Sequence, residues 1–217
     1  MAILKVGGTQ IASSSGSDVT LDNVALGSSV TIPASSGSSL IHVGTTTIAT
    51  PDVDDSVVFA PTSNFDTFYI TFCNVLPVSD GNGLRMGLSR NNFTDAVSLS
   101  HSRHYGRIDA ARSMGNESSS DDEGYYRVVG YLNMSNVAGE TGGGFIWVTG
   151  CGEGMRKNIH SIITFVHATD PKYVQGGDGM SYDTSAANIG QITHISLSLT
   201  SGNFATGTFS VYGLKTS

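Results

Sequence analysis

The sequence predicts an all-β protein: an N-terminal extended β-rich arm over residues 1–50, followed by a jelly-roll-like antiparallel β-sandwich over residues 51–217. Three observations carry this. Apolar side chains recur with period two in short runs, the mark of strands with one buried face. Turn signals such as Asp80-Gly81, Asn82-Gly83 and Ser201-Gly202-Asn203 separate those runs. No window sustains a 3.6-residue period over three turns, so no amphipathic helix is expected.

The arm is unusual in composition. Lys5, Asp18 and Asp22 are its only charges before Asp52, and it holds no Phe, Tyr or Trp. Short runs (Ile3-Leu4-Lys5-Val6, Val19-Thr20-Leu21, Val30-Thr31-Ile32, Leu40-Ile41-His42-Val43) alternate with Ser, Thr and Gly. Such a segment is too small-sided to build a core of its own and too apolar for a solvated linker. Ile3, Val6, Leu21, Val24, Leu26 and Ile32 are therefore the candidate docking residues, covered by another chain or by copies of the same arm. Pairing between copies would bury strand edges that are a liability in a monomer, and closed symmetric assembly is the usual outcome. Pro51 and the acidic residues Asp52, Asp54 and Asp55 end this texture. The sandwich is expected to satisfy its own core from Val57 to Leu214, leaving the arm free to dock.

Strands are expected in order along the second part. Phe68-Tyr69-Ile70-Thr71-Phe72-Cys73 alternates, with Phe68, Ile70 and Phe72 on one face. After the turn Val78–Gly83, Leu84, Met86 and Leu88 alternate with Arg85, Gly87 and Ser89, which reads as the second half of a hairpin. Asn91 to Glu123 reads as one or two short strands and a long exposed loop. Tyr125 to Val137 reads as a strand with a bend at Gly130. Gly142-Gly143-Gly144 leads into Phe145-Ile146-Trp147-Val148, and Ile159 to His167 follows. Ser181 to Gly190 is turn-like. Ile195, Leu197 and Leu199 form one face of a half-buried strand, and Thr208 to Leu214 closes the chain. About eight strands result, the number that suits a jelly roll.

Composition excludes several classes. Hydrophobic residues make up 39% and charged residues 13%, against about a quarter charged in ordinary soluble domains. A net charge of −7 is wrong for nucleic acid, which wants a basic footprint. No apolar run reaches membrane-spanning length, so no membrane insertion is expected. The N-terminus lacks the basic start and apolar core of a secretory signal, which predicts synthesis in a cytoplasm. Cys73 and Cys151 form no CxxC pattern and read as small buried hydrophobes.

Chemical motifs were weighed in turn. Gly150-Cys151-Gly152-Glu153-Gly154 leaves no room for the helix a phosphate loop needs and reads as strand–turn–strand. The carboxylates at 52–55 and 121–123 read either as solvated loops or as calcium ligands, and neither matches a calcium-loop pattern. The histidines show no metal-ligand spacing, and no GxSxG turn marks a nucleophile. No catalytic, metal or cofactor-binding residue is therefore assigned. A glycan-cleaving enzyme would lean on a carboxylate such as Asp178 or Asp183. The basic island Arg103, His104, Tyr105 and Arg107, with Arg112, is the candidate contact surface for a partner or receptor. Tyr125, Tyr126, Tyr131 and Trp147 offer sugar-stacking rings, although a mid-strand Trp147 fits a core or subunit interface first. Exposed loops around 103–112 and 176–184 would make the outward contacts.

The stretch from Ile192 to Lys215, with its SGNF turn and terminal Tyr212-Gly213-Leu214, resembles the ends of virion structural proteins of tailed bacteriophages. Asn64-Phe65-Asp66-Thr67-Phe68-Tyr69-Ile70-Thr71-Phe72-Cys73-Asn74-Val75 resembles the opening strand of the same group. The arm, with Val19–Gly27 and Val30–Pro33, is similar to the β-rich leaders of phage fibre proteins. The resemblance implies a non-enzymatic homotrimeric appendage, assembled in the host cytoplasm onto other virion proteins of capsid or tail. It implies a tail-fibre or host-attachment role, with capsid decoration as the alternative. A carbohydrate-binding module is the reading from outside that class, and host surface glycan is the expected small ligand.

Overall fold

The computed structural model describes residues 2–6, 9–15, 18–21, 40–49, 56–62, 64–94, 96–107, 114–129, 134–168, 173–181 and 190–214. The chain divides into two compact units, Met1–Ser35 and Ser36–Ser217.

In the first unit β1 (Ala2–Val6), β2 (Thr9–Ser15) and β3 (Asp18–Leu21) form an antiparallel sheet in the order β1-β2-β3. The segment expected to be an extended arm thus pairs with itself over its first twenty-one residues. Gly7-Gly8 and Gly16-Ser17 separate these strands in the sequence, and pairs of this kind suit tight hairpins. Ile3 and Val6 lie on β1 and Leu21 lies on β3. Val24, Leu26 and Ile32 lie outside the described residues.

The second unit is an all-β sandwich of two antiparallel sheets. Its strands are β4 (Leu40–Ile48), β5 (Ser56–Phe59), β6 (Thr67–Pro77), β7 (Leu84–Ser89), β8 (Leu99–Arg107), β9 (Met114–Glu123), β10 (Tyr126–Arg127), β11 (Gly142–Thr149), β12 (Asn158–Phe165), β13 (Tyr173–Ser181), β14 (His194–Leu199) and β15 (Phe204–Leu214). The larger sheet runs β4-β15-β6-β11-β12-β13-β8-β9 and the smaller β10-β7-β14-β5.

The boundary expected at residues 50/51 is corrected by β4. It pairs along β15 from Ile48↔Gly207 to Leu40↔Leu214, Ile48 is buried, and Ile41 and Val43 pack against the core. The sandwich therefore does not satisfy itself from Val57 onward. The Leu40–Ile48 run is rich in β-branched Ile, Val and Thr, a composition that suits a strand, and it covers one flank of β15.

The core lies between the two sheets. Phe68, Ile70 and Phe72 of β6 face inward as expected, as do Leu84, Met86 and Leu88 of β7 and Ile195, Leu197 and Leu199 of β14. Yet β6 and β7 are not a hairpin. They belong to opposite sheets, and the turn between them is an arch from one layer to the other. Alternation shows which face of each strand is apolar; here the two apolar faces pack on each other instead of lying side by side. The connections β4–β5 and β14–β15 cross between layers in the same way. One polar contact ties the layers at depth: the Tyr126 hydroxyl meets Ser161 Oγ at 2.7 Å, both buried.

Other expectations also shift. The polar stretch Asn116–Glu123, read as exposed loop, belongs to β9, and the basic island is on its neighbour β8. Among its described residues, Tyr125 to Val137 contributes the two-residue β10. Gly176 to Ser181, read as a contact loop, belongs to strand β13, paired on both sides. Among the described residues eleven strands stand from β5 onward, where about eight were expected. Cys73 is exposed, because it falls on the outer face beside inward Phe72. Asn74 then adopts a left-handed φ of 55°, and the pairing with β11 shifts there. This is a bulge that brings Val75 back into the core.

The triglycine has a steric reason. A Cβ at Gly144 would be driven into the backbone carbonyl of Ile162 on the adjacent strand, so close approach of β11 and β12 requires glycine there. The loop after β11 is the strand–turn–strand read from the sequence, since Thr149 pairs with Asn158 at its base.

Candidate functional site

The outer face of the larger sheet carries the feature of most chemical interest. Strand register sets six residues in one rank across the strands: His42↔Tyr212, Tyr212↔Tyr69, Tyr69↔Trp147, Trp147↔His160 and His160↔Asp178. Most of them occupy positions out of phase with the inward-facing apolar residues of their strands. Tyr69, for example, stands between Phe68 and Ile70, and Trp147 between Ile146 and Val148. The alternation that fills the core thus also delivers the aromatic rings to the other face.

The rings are in contact. Centroids lie 5.3 Å apart for His42 and Tyr212, 6.5 Å for Tyr212 and Tyr69, and 5.2 Å for Tyr69 and Trp147. Phe145 adds a fifth ring at 5.8 Å from Tyr69. These rings are half-buried except His42, which is exposed, so each retains accessible surface. A polar border accompanies them: His42 Nε2 bonds Thr45 Oγ1 at 2.9 Å, and Thr45 Oγ1 bonds Ser210 Oγ at 2.8 Å.

At the other end His160 Nδ1 meets Asp178 Oδ1 at 2.8 Å, with both side chains more than half exposed, at 56% and 62%. Together with Trp147, Thr149, Asn158 and Met180 they border an open depression of about 320 Å³. Exposed Ile162 and Met180 flank the pair. The contact is solvated, so its worth to stability is small. Its remaining polar atoms face solvent and are available to a ligand.

The sequence-derived candidates fall elsewhere. Arg103, His104, Tyr105 and Arg107 lie on β8, in register with β13 on one side, and Arg103, His104 and Tyr105 pair with β9 on the other. Arg103 stands opposite Glu117, so an acidic partner position exists within the chain itself. Arg112, Tyr131 and Asp183 lie outside the described residues. Tyr126 is wholly buried and offers no face to a sugar. Tyr125 is covered by cations, with Arg85 and Arg127 at 5.0 and 5.9 Å from its ring centre. Of the three described rings among those singled out, Trp147 alone joins the rank, on the outer face and not in the core. Tyr69, Tyr212, His160 and Asp178 as one assembly were missed, because their adjacency depends on register between strands far apart in sequence.

The loop between β11 and β12 holds the other unusual group. Lys157 is buried, and its ammonium donates to the carbonyls of Gly152 at 3.1 Å and Met155 at 2.6 Å. Burial holds its pKa below the ordinary lysine value. The cage is closed, and it fixes the turn. Among the described residues no group of three or more His, Cys, Asp or Glu is placed to hold a metal.

Fold and surface together define an all-β sandwich with an exposed aromatic rank ending in a His–Asp pair. Comparison with protein-family models, with curated proteins and with solved structures finds no match to this chain.

Proposed function

We propose that this chain is a non-catalytic attachment protein that binds glycan on the outer face of its larger sheet, carried as a homotrimer on a tailed-phage virion. The rank from Tyr212 through Tyr69 and Trp147 to His160 and Asp178 is the observation that carries the binding part. Sugars present C–H faces that stack on aromatic rings and hydroxyls that need donors and acceptors. A row of rings ending in an imidazole and a carboxylate supplies both. Asp178 is the single carboxylate among the described residues bordering the depression, whereas glycoside hydrolysis ordinarily uses a facing pair. That favours binding over cleavage. The placement on a virion rests on the resemblance of the Ile192–Lys215 and Asn64–Val75 segments to phage structural proteins.

Two measurements test this. On a broad glycan array the intact chain is expected to select particular glycans, and Trp147→Ala to weaken that binding at least tenfold, or about 1.4 kcal/mol. Its melting temperature should change little, because the ring is half-exposed. Undiminished binding by Trp147→Ala would remove this face from the proposal. Light scattering of the intact chain should return three times the chain mass, and a monomer at high concentration would overturn the homotrimer. Within the virion reading, hundreds of copies per particle would favour capsid decoration over attachment.

A further inference from the structure

Resting on the glycan-binding reading above, we infer that the rank takes a neutral, soluble glycan chain laid across the strands, and neither an acidic polysaccharide nor a crystalline surface. Three observations point this way. The rank runs perpendicular to the strands, with Tyr212, Tyr69 and Trp147 spaced 6.5 and 5.2 Å apart. That spacing is close to the repeat of one sugar per ring along a chain, so successive residues meet successive rings and then the polar pair.

The ring planes do not form a flat table. Neighbouring planes tilt by 40° between Tyr212 and Tyr69 and by 58° between Tyr69 and Trp147. A crystalline polymer face needs coplanar rings to lie on. A free chain, whose sugar planes turn along its length, can follow the tilt. Sheet twist rotates each strand against the next by about 20–25°, and the side-chain rotamers supply the rest of the tilt.

Charge then sorts the chains. Asp178 ends the rank, no Lys or Arg among the described residues borders the depression, and the protein carries a net charge of −7. On β8 the position paired with Asp178 is the uncharged Ser102. A uronic acid or sialic acid seated beside Asp178 would therefore meet a like charge, with no Lys or Arg among the described residues of the border to offset it. A hydroxyl there finds a carboxylate acceptor and the free imidazole nitrogen.

The test sorts array ligands by charge and length, followed by calorimetry of the intact chain with neutral and uronic-acid oligomers of one to six units. Neutral oligomers are expected to tighten at least tenfold from one to four units and then level off. Acidic oligomers of equal length should bind at least tenfold more weakly, and Asp178→Asn should narrow that gap. Acidic ligands binding as tightly as neutral ones, or affinity independent of length, would overturn the inference and leave glycan binding standing. Retention on microcrystalline cellulose at the strength of soluble chains would also overturn it. No binding to any glycan class would bring down the attachment reading itself.

Discussion

Asn82→Ala is expected to lower the unfolding free energy by about 2–3 kcal/mol, the range for truncating a buried group with several partners. Asn82 is 2% exposed and stands where two arches meet. Its Nδ2 donates to the Ser79 carbonyl at 2.9 Å and to Ser79 Oγ at 3.1 Å, within the arch between β6 and β7. Its Oδ1 accepts from Ser201 N at 3.1 Å and Ser201 Oγ at 2.6 Å, within the arch between β14 and β15. Backbone bonds run alongside, from Val78 N to Asn203 O at 2.9 Å and from Thr200 N to Gly83 O at 2.8 Å. One amide thus uses its donor on one arch and its acceptor on the other.

Asn82→Asp separates this account from simple loss of packing. The carboxylate keeps an acceptor for Ser201 but turns a second oxygen toward the Ser79 carbonyl, where a donor is required. It should destabilise at least as much as alanine despite near-identical shape. Urea unfolding of both variants checks the claim; an aspartate variant as stable as the parent would refute it. The consequence reaches the outer face, because β6 and β15 carry Tyr69 and Tyr212 of the aromatic rank, and the arches set where those strands begin and end.

The arches also show where sequence reading stops. Both turns are legible as Asp-Gly, Asn-Gly and Ser-Gly-Asn signals, and the inward faces of β6, β7, β12 and β14 follow from alternation alone. What alternation does not contain is the partner. Phe68–Cys73 and Leu84–Ser89 look the same whether paired edge to edge or stacked face to face, and the second is what occurs. β9 and β13 were hidden for another reason. Their Ser, Asp and Gly content carries little strand propensity, and pairing with neighbours supplies what composition lacks. The same limit governs the site. Tyr69, Tyr212 and His160 are legible as positions out of phase with an apolar face, Asp178 on the hidden β13 is not, and the convergence of all of them comes from cross-strand register. The basic island, by contrast, stood out by charge and turned out to occupy a paired strand.

Between pH 9 and 12 the folded state is expected to lose about 4 kcal/mol through one thiol, three pKa units at 1.36 kcal/mol each. Cys151 is fully buried at the end of β11, with Sγ 3.6 Å from the Val148 carbonyl. Burial pushes its pKa from 9.0 up to about 12, against the pull of the nearby Lys157 cation. A raised acid pKa means that the folded protein keeps a proton the unfolded chain releases. The contribution is therefore whole below pH 9 and is lost as pH climbs toward 12. Lys157 acts with the opposite sign: its pKa is lowered by burial from 10.5, so relief of its buried charge adds stability with rising pH and ends by 10.5. Above that point the thiol slope stands without this opposition. Cys151→Ala removes it, at the cost of a small cavity. The gap in unfolding free energy between parent and variant, measured in urea at steps from pH 8.5 to 12, should therefore shrink by about 4 kcal/mol. Curves that fall in parallel would show that the buried thiol is not the linked group. Cys151 is the small buried hydrophobe that the sequence suggests, and its proton in addition ties the stability of the fold to alkaline pH.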